Sequence, residues 1–226
     1  LIGKSHLQNF TGHPAMSRPA PAREGYREPS PELRKAMRID LTGPEYGQEQ
    51  PAYWAKPGAH VRTPFYGYGH VELVTGHGDA VDGDYRAWLK AKDPKAPGLL
   101  GPQSSLPHDY AVPQAYRTAI PEELYSTAYL GERAEAYLKA RGKEAAPFFM
   151  TVSFPDPHHP FNPPGKYWDL YKPEQFPVPE AFRRNDWTPP PAVQDALDER
   201  ESGKANLTGM RTIGISGREA QEAQAL

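Results

Sequence analysis

The sequence predicts an α/β fold, a mixed and mostly parallel sheet sandwiched between helices and rich in loops. Three observations carry this. A helical segment of roughly 20 residues starting at Pro121 is followed at once by the apolar run FFMTVSF at residues 148–154, which makes an αβ unit. Two strand ends, at Leu1-Ile2-Gly3 and at Ser153-Phe154, pass directly into polar loops that carry Lys and His. A third segment, residues 69–75, alternates aromatic and β-branched with polar residues between glycines, which is the period of a strand.

In chain order, the first strand enters at Leu1-Ile2 without an initiator Met and leads through Gly3 to Lys4 and His6, two residues apart. If the backbone stays extended there, both side chains point the same way, because successive residues of a strand face opposite sides. Residues 8–64 show no sustained period and read as loop, with one short helix at residues 31–37 after Ser30, where Pro31 occupies the first turn. Such a long excursion in a compact domain lines or covers a site. After the strand at residues 69–75, Asp82-Gly83-Asp84 reads as an acidic cap for a two-turn helix over residues 85–92. Residues 97–113 read as loop.

The helix from Pro121 has acids Glu122 and Glu123 at its positive end and a Leu124, Ala128, Gly131, Ala134, Leu138 stripe. It ends in a basic run through Gly142. The run at residues 148–154 reads as a buried strand. Prolines at 155, 157, 160 and 163 then force the chain out of the sheet into a stiff loop carrying Asp156, His158, His159 and Asn162. A His-bearing loop outside the carboxyl end of a strand is where α/β proteins place ligand chemistry. Residues 165–182 are aromatic and punctuated by Pro, and residues 183–209 read as a polar surface excursion. Ser216 and Glu219 form a capping box that opens a last helix. The ends lead us to expect an internal segment, the central part of one domain covering residues 1–226.

Composition narrows the function classes. Lys and Arg total 26 against 28 Asp and Glu, so no net charge steers the chain to nucleic acid or to an anionic membrane, and local sites must do any anion binding. Cys is absent, which removes disulfides, thiolate metal sites and a Cys nucleophile from this stretch. No run of 18 apolar residues occurs. With 20 Gly, 27 Pro and 11% aromatic residues, the chain is loop-rich yet able to pack.

Lys4, His6, His158 and His159 are four donors with no Cys, Asp or Glu cluster at metal-ligand spacing, a pattern that favours anion binding. The same residues are also compatible with a solvated Lys4 and a turn-capping His158, and composition leaves both readings open. His77 and Asp79, with Asp82 and Asp84, match no metal loop and read as solvated loop. Asn206-Leu207-Thr208 fits a glycosylation acceptor, and Tyr167, Trp168 and Tyr171 read as a packed Pro-aromatic cluster or as a platform for a sugar.

Gly3-Lys4-Ser5-His6-Leu7 resembles the GK-x-HL element of the sulfatase family, within the alkaline phosphatase superfamily. Residues 147–164, PFFMTVSFPDPHHPFNPP, resemble its PFF-x-x-x-SF-x-x-PH-x-PF-x-P element, in the same order. Residues 118–133 resemble the helix that precedes the second element in many bacterial members. Residues 65–79 resemble a strand insertion found in a subset of them. The resemblance implies an alkaline-phosphatase-like fold. It implies that Lys4 contacts the sulfuryl oxygens and the nucleophile, that His6 hydrogen-bonds the nucleophile, and that His158 donates to a substrate or leaving-group oxygen. His159 falls at the variable position, as a substrate-pocket residue. The residues alone do not rank His158 over His159.

The resemblance further implies a formylglycine made from Cys or Ser in C/S-x-P-x-R and a divalent metal, usually calcium, on carboxylates. Neither motif is found in this stretch, so the segment by itself is expected to be inactive. Ser17-Arg18-Pro19-Ala20-Pro21 begins like the Ser version but has Pro21 in place of Arg. The expected activity of the whole protein is hydrolysis of a small-molecule or carbohydrate sulfate ester. Phosphonate or phosphate monoester hydrolysis is the close variant, and a non-catalytic carbohydrate-binding domain is the rival from another class.

Overall fold

The computed structural model describes residues 1–8, 24–25, 44–112, 114–142, 146–183, 188–202 and 215–226. The expected helix at residues 31–37, the Ser17 motif and Asn206 lie outside them. Among the described residues, four strands form one mixed sheet in the order β3-β2-β1-β4: β1 (Ile2–Lys4), β2 (Glu72–Thr75), β3 (Asp82–Gly83) and β4 (Val152–Ser153). Central β1 runs parallel to both β2 and β4, with Gly3 opposite Leu73 on one side and Ser153 on the other, while β3 returns antiparallel to β2. The carboxyl ends of β1, β2 and β4 therefore open on the same edge of the sheet. At Gly3, φ is +114° and an added Cβ would lie 2.0 Å from the Ser153 carbonyl oxygen, so only glycine allows β1 and β4 to approach this closely.

The α-helices of the described residues are α1 (Pro51–Trp54), α2 (Asp84–Lys92), α3 (Ser126–Arg141), α4 (Pro191–Glu201) and α5 (Gly217–Ala225). The alternation of β2 sends Val74 to one face and Leu73 to the other. Val74 joins Ile2, Tyr85, Leu89, Tyr129 and Leu130 in the main core under α2 and α3. Leu73 packs with Leu1, Val61 and Phe65 in a smaller cluster, where Trp54 of α1 adds partial cover. Among the described residues no helix is long and apolar enough to cross a membrane.

Several expectations are corrected. The strand predicted over residues 148–154 is paired only at Val152–Ser153. The register that sets Ile2 opposite Val152 leaves residues 148–150 beyond the paired span, and Phe149 stands 80% exposed. Asp84 is the first residue of α2 and Gly83 its N-cap, so no acidic side chain caps the helix from that position. The Asp84 Oδ2 accepts from the Leu73 amide at 2.7 Å, and Asp82–Gly83 also forms β3. In α3 the buried face is Ser126, Tyr129 and Leu130, whereas Leu138 and Gly131 of the expected stripe are exposed. An aliphatic stripe overlooks tyrosines, whose rings bury while their hydroxyls find acceptors; here Tyr129 donates to Glu72 at 3.3 Å. Residues 183–209 contain helix α4 within the expected excursion. The Ser216–Glu219 capping box is present at the start of α5.

Candidate functional site

Three loops leave the carboxyl edge of the sheet, one from each parallel strand. The loop after β1 carries Lys4 and His6. Lys4 is half-buried and its Nζ donates to the Gly76 carbonyl, 3.0 Å away at the end of β2. The turn that follows is held by Glu49, which is 2% exposed. Glu49 Oε1 accepts the Ser5 hydroxyl at 2.6 Å and the amides of Leu7 and Gln8 at 3.0 and 3.1 Å. Gln8 in turn reaches the Glu45 carbonyl at 2.7 Å and accepts from the Gln48 amide at 2.8 Å, so residues 45–49 clasp the loop that presents His6.

The loop after β2 is Gly76-His77-Gly78-Asp79. Both glycines have positive φ, and a Cβ on Gly78 would lie 2.5 Å from Asn162 Oδ1, so this turn packs directly on the third loop. Asp79 is fully buried and accepts the Tyr116 hydroxyl and, at 2.5 Å, that of Thr118. The expectation that His77 and Asp79 lie in solvated loop is therefore overturned for Asp79 by burial and for His77 by its place in the cluster described below.

The loop after β4 carries His158 and His159. It is pinned on both sides of the histidines: Tyr125 donates to Asp156 at 3.2 Å and to buried Asn162 at 3.0 Å, and Thr127 donates to Asp156 at 2.8 Å. Beyond the histidines, the Phe161 amide donates to the Gln114 carbonyl at 2.8 Å. His158 Nδ1 lies 2.6 Å from the His159 carbonyl, which can only accept, so Nδ1 carries the proton and Nε2 is the nitrogen left for a ligand.

These loops bring the sequence-predicted residues together. His158 stacks on His77 with ring centroids 3.5 Å apart, His159 lies 4.0 Å from His158, and His6 meets the edge of His77 at 6.3 Å. Like charges and burial act on the group. Burial lowers Lys4, although the Glu49 carboxylate opposes this. His6 is lowered by burial and then by the Lys4 charge. His77 is pushed down to about 3, first by burial and then by Lys4 and His158. His159 is lowered by burial and by His158. A concentration of cationic and donor groups whose neighbouring carboxylates are already engaged, Glu49 by Ser5, Leu7 and Gln8, Asp79 by Tyr116 and Thr118, and Asp156 by Tyr125 and Thr127, is an environment that an anion relieves. Beside His158 opens a cavity of about 610 Å³ lined by Tyr125, Phe161, Tyr167 and Tyr171.

Two contributors escaped the sequence reading. Glu49 sits in an aperiodic stretch with no signal. For His77 a signal existed: a Gly-His-Gly turn at the end of a strand, which places an imidazole at the same edge as Lys4 once the two strands are parallel. Among the described residues no group of three or more His, Asp or Glu is placed to hold a metal ion.

The α/β sheet thus carries an imidazole-lined loop cluster at its carboxyl edge, and the comparisons with known proteins give partial matches to hydrolases of the alkaline phosphatase superfamily. The chain is 38% identical over 60 residues to the multifunctional alkaline phosphatase superfamily protein PehA of Trinickia caryophylli, a match covering 26% of this chain and 11% of that protein. It is 34% identical over 83 residues to an arylsulfatase of Clostridium perfringens, covering 37% of this chain and 15% of that protein. The matched stretches thus span less than a sixth of either relative. No family model matches the chain, and no solved structure matches it.

Proposed function

We propose that this chain is the central part of the catalytic domain of a sulfatase-type ester hydrolase. The observation that carries the reading is the meeting of Lys4, His6 and His158 at one edge of the sheet, since these residues come from two elements separated by most of the sequence. The partial likeness to an arylsulfatase supports a sulfate ester as substrate. In this reading Lys4 stabilises charge developing on the sulfuryl oxygens, from a position fixed by the Gly76 carbonyl. His6, on the loop that Glu49 holds, hydrogen-bonds the nucleophile. His158 delivers a proton from Nε2 to the leaving oxygen, because its Nδ1 is committed to the His159 carbonyl. The cavity beside it takes the organic part of the ester, and His159, whose ring lies 4.0 Å from that of His158, contacts the substrate from the side of the cluster.

Among the described residues no group of three or more His, Asp or Glu is placed to hold a divalent cation. In our reading calcium and the formylglycine nucleophile are supplied from outside these residues; the nucleophile would attack sulfur. A second reading, a phosphonate or phosphate monoester as substrate, rests on the same three donors, which suit either tetrahedral anion; the likeness to an alkaline phosphatase superfamily protein is compatible with it. The test is a comparison of the full-length protein on aryl sulfate, aryl phosphate and aryl phosphonate esters. The sulfate ester is expected to have the highest kcat/KM, and Lys4→Ala is expected to lower it by about 10²-fold or more. No turnover of any ester would sink the reading.

A further inference from the structure

The edge of the sheet holds one imidazole that this mechanism does not use. His77 lies between His6 and His158, parallel to the His158 ring to within 9° at 3.5 Å and edge-on to His6. We propose that His77 is a positioning residue of this site: stacked on His158, it fixes the plane of that ring and stays neutral beneath it. The proposal rests on reading His158 as the donor to the leaving oxygen.

Geometry gives the first argument. Two rings of like electrostatics avoid a face-to-face sandwich, whereas a cation over a neutral ring face is attracted to it. A parallel pair at this distance is thus favoured when one member is imidazolium and the other neutral. Two imidazolium rings at the same spacing would repel.

The surroundings then decide which ring is charged. The groups facing His77 are Lys4 and His6 from β1 and its loop, and His158 and His159 from the loop after β4. All are cationic or become so on protonation. The nearby carboxylates are engaged elsewhere: Asp79 by Tyr116 and Thr118, Glu49 by Ser5, Leu7 and Gln8. The Nε2 of His77 is enclosed with no hydrogen-bond partner among the described residues, so a proton placed there would meet no acceptor. His158 differs, because its Nδ1–H keeps the His159 carbonyl in both charge states. Burial and the surrounding charges already hold His77 far below the ordinary histidine range. The turn is also built for the contact: Gly78 lies so close to Asn162 that a side chain there would force the two loops apart.

The test is a ¹⁵N NMR titration of histidine-labelled full-length protein, with His77→Phe and His158→Phe used to assign the pair. Between about pH 8 and pH 4.5, His77 is expected to stay neutral. Protonation of His77 in that range would overturn the proposal. In a titration of His158→Phe carried down to about pH 3, the pKa of His77 is expected to lie above its wild-type value, since a neighbour able to carry charge is gone; no rise would overturn it equally. In turnover, His77→Ala should lower kcat about tenfold while KM changes less than about threefold, and His77→Phe, which keeps a flat ring under His158, should recover part of that loss. Equal losses in the two variants would argue against a role through the stack. The titration needs no substrate, so failure to find an ester substrate would sink the functional reading while the NMR result still decides the protonation of the pair.

Discussion

Glu49 and Ser5 are joined by a 2.6 Å hydrogen bond in which the buried carboxylate accepts the hydroxyl, and the same oxygen takes the two amides that follow His6. One side chain from an aperiodic stretch thus sets the path of the chain between Lys4 and Gln8. Truncation in Glu49→Ala would remove the acceptor of three donors, of which the Gln8 amide is buried. We expect a loss of about 2–4 kcal/mol in unfolding free energy. Glu49→Gln keeps an acceptor and should lose less than half of that. Urea unfolding of both variants checks the order; equal loss would mean that the charged carboxylate is what matters, since Glu49→Gln keeps both the packing and a neutral oxygen.

His158 and His159 can be separated by substrate chemistry. A residue that protonates the leaving oxygen matters most when the leaving group is a poor one. His158→Ala is therefore expected to lower kcat by about 10²-fold or more on an alkyl ester and by much less on a nitrophenyl ester. His159→Ala should mainly raise KM, with no such dependence. If the loss in His158→Ala is the same across leaving groups, its proposed role as donor falls.

The legible parts of this protein were those in which local sequence and final environment agree. A mixed, mostly parallel sheet followed from two polar, His-bearing loops after short apolar runs. The α5 cap followed from Ser216 and Glu219, which satisfy each other within one turn. The exit from the sheet at Phe154 followed from prolines that no strand can hold. What was not legible depends on partners far away in sequence. Asp79 looks like any loop acid, yet Tyr116 and Thr118 bury it completely. Asp84 looks like a helix cap, yet β3 turns it back onto the Leu73 amide. Glu72, at the start of β2, is paired with Arg133 of α3; burial raises its pKa but the Arg133 bond and charge outweigh this and hold the carboxyl below its ordinary value. Residues 4, 6 and 158 were picked from motifs, and their meeting at one edge required the parallel register that only the fold supplies.

Asp84 gives a prediction in pH. Burial pushes its pKa up from 3.8 to about 6, although the Leu73 amide and other neighbours pull the other way. The folded state therefore binds more protons than the unfolded state between these two values, and stability falls as pH rises through the window. The penalty is absent below about pH 4 and complete above about pH 6, on the order of 2–3 kcal/mol. Asp84→Asn retains an oxygen for the Leu73 amide and carries no charge. Its stability relative to wild type should be about equal at pH 4 and higher at pH 7, as measured by the midpoint of urea unfolding. A gap that stays constant with pH would show that the carboxyl titrates alike in both states, and one that reverses would show that folding lowers its pKa.

Gly3 gives the sharpest prediction about the site, because it links the strand that ends in Lys4 to the strand that leads to His158. Its φ of +114° disfavours any side chain, and the Ser153 carbonyl oxygen would lie 2.0 Å from an alanine Cβ. That oxygen is backbone, so it cannot rotate away; β4 must move as a strand. Gly3→Ala should lose about 3 kcal/mol or more through the combined strain and overlap. On the other side of β1, strand β2 is anchored through the ion pair of Glu72 with Arg133, so the displacement is directed at β4 and its loop. The His158 ring should then shift against His77 while the Lys4 bond to Gly76, made with the end of β2, persists. In the ¹⁵N histidine spectrum the His158 and His77 resonances of Gly3→Ala should move while the fold, read from the far-UV circular dichroism at low temperature, remains. If the two resonances stay where they are, β4 is not what holds His158 in register with the rest of the site.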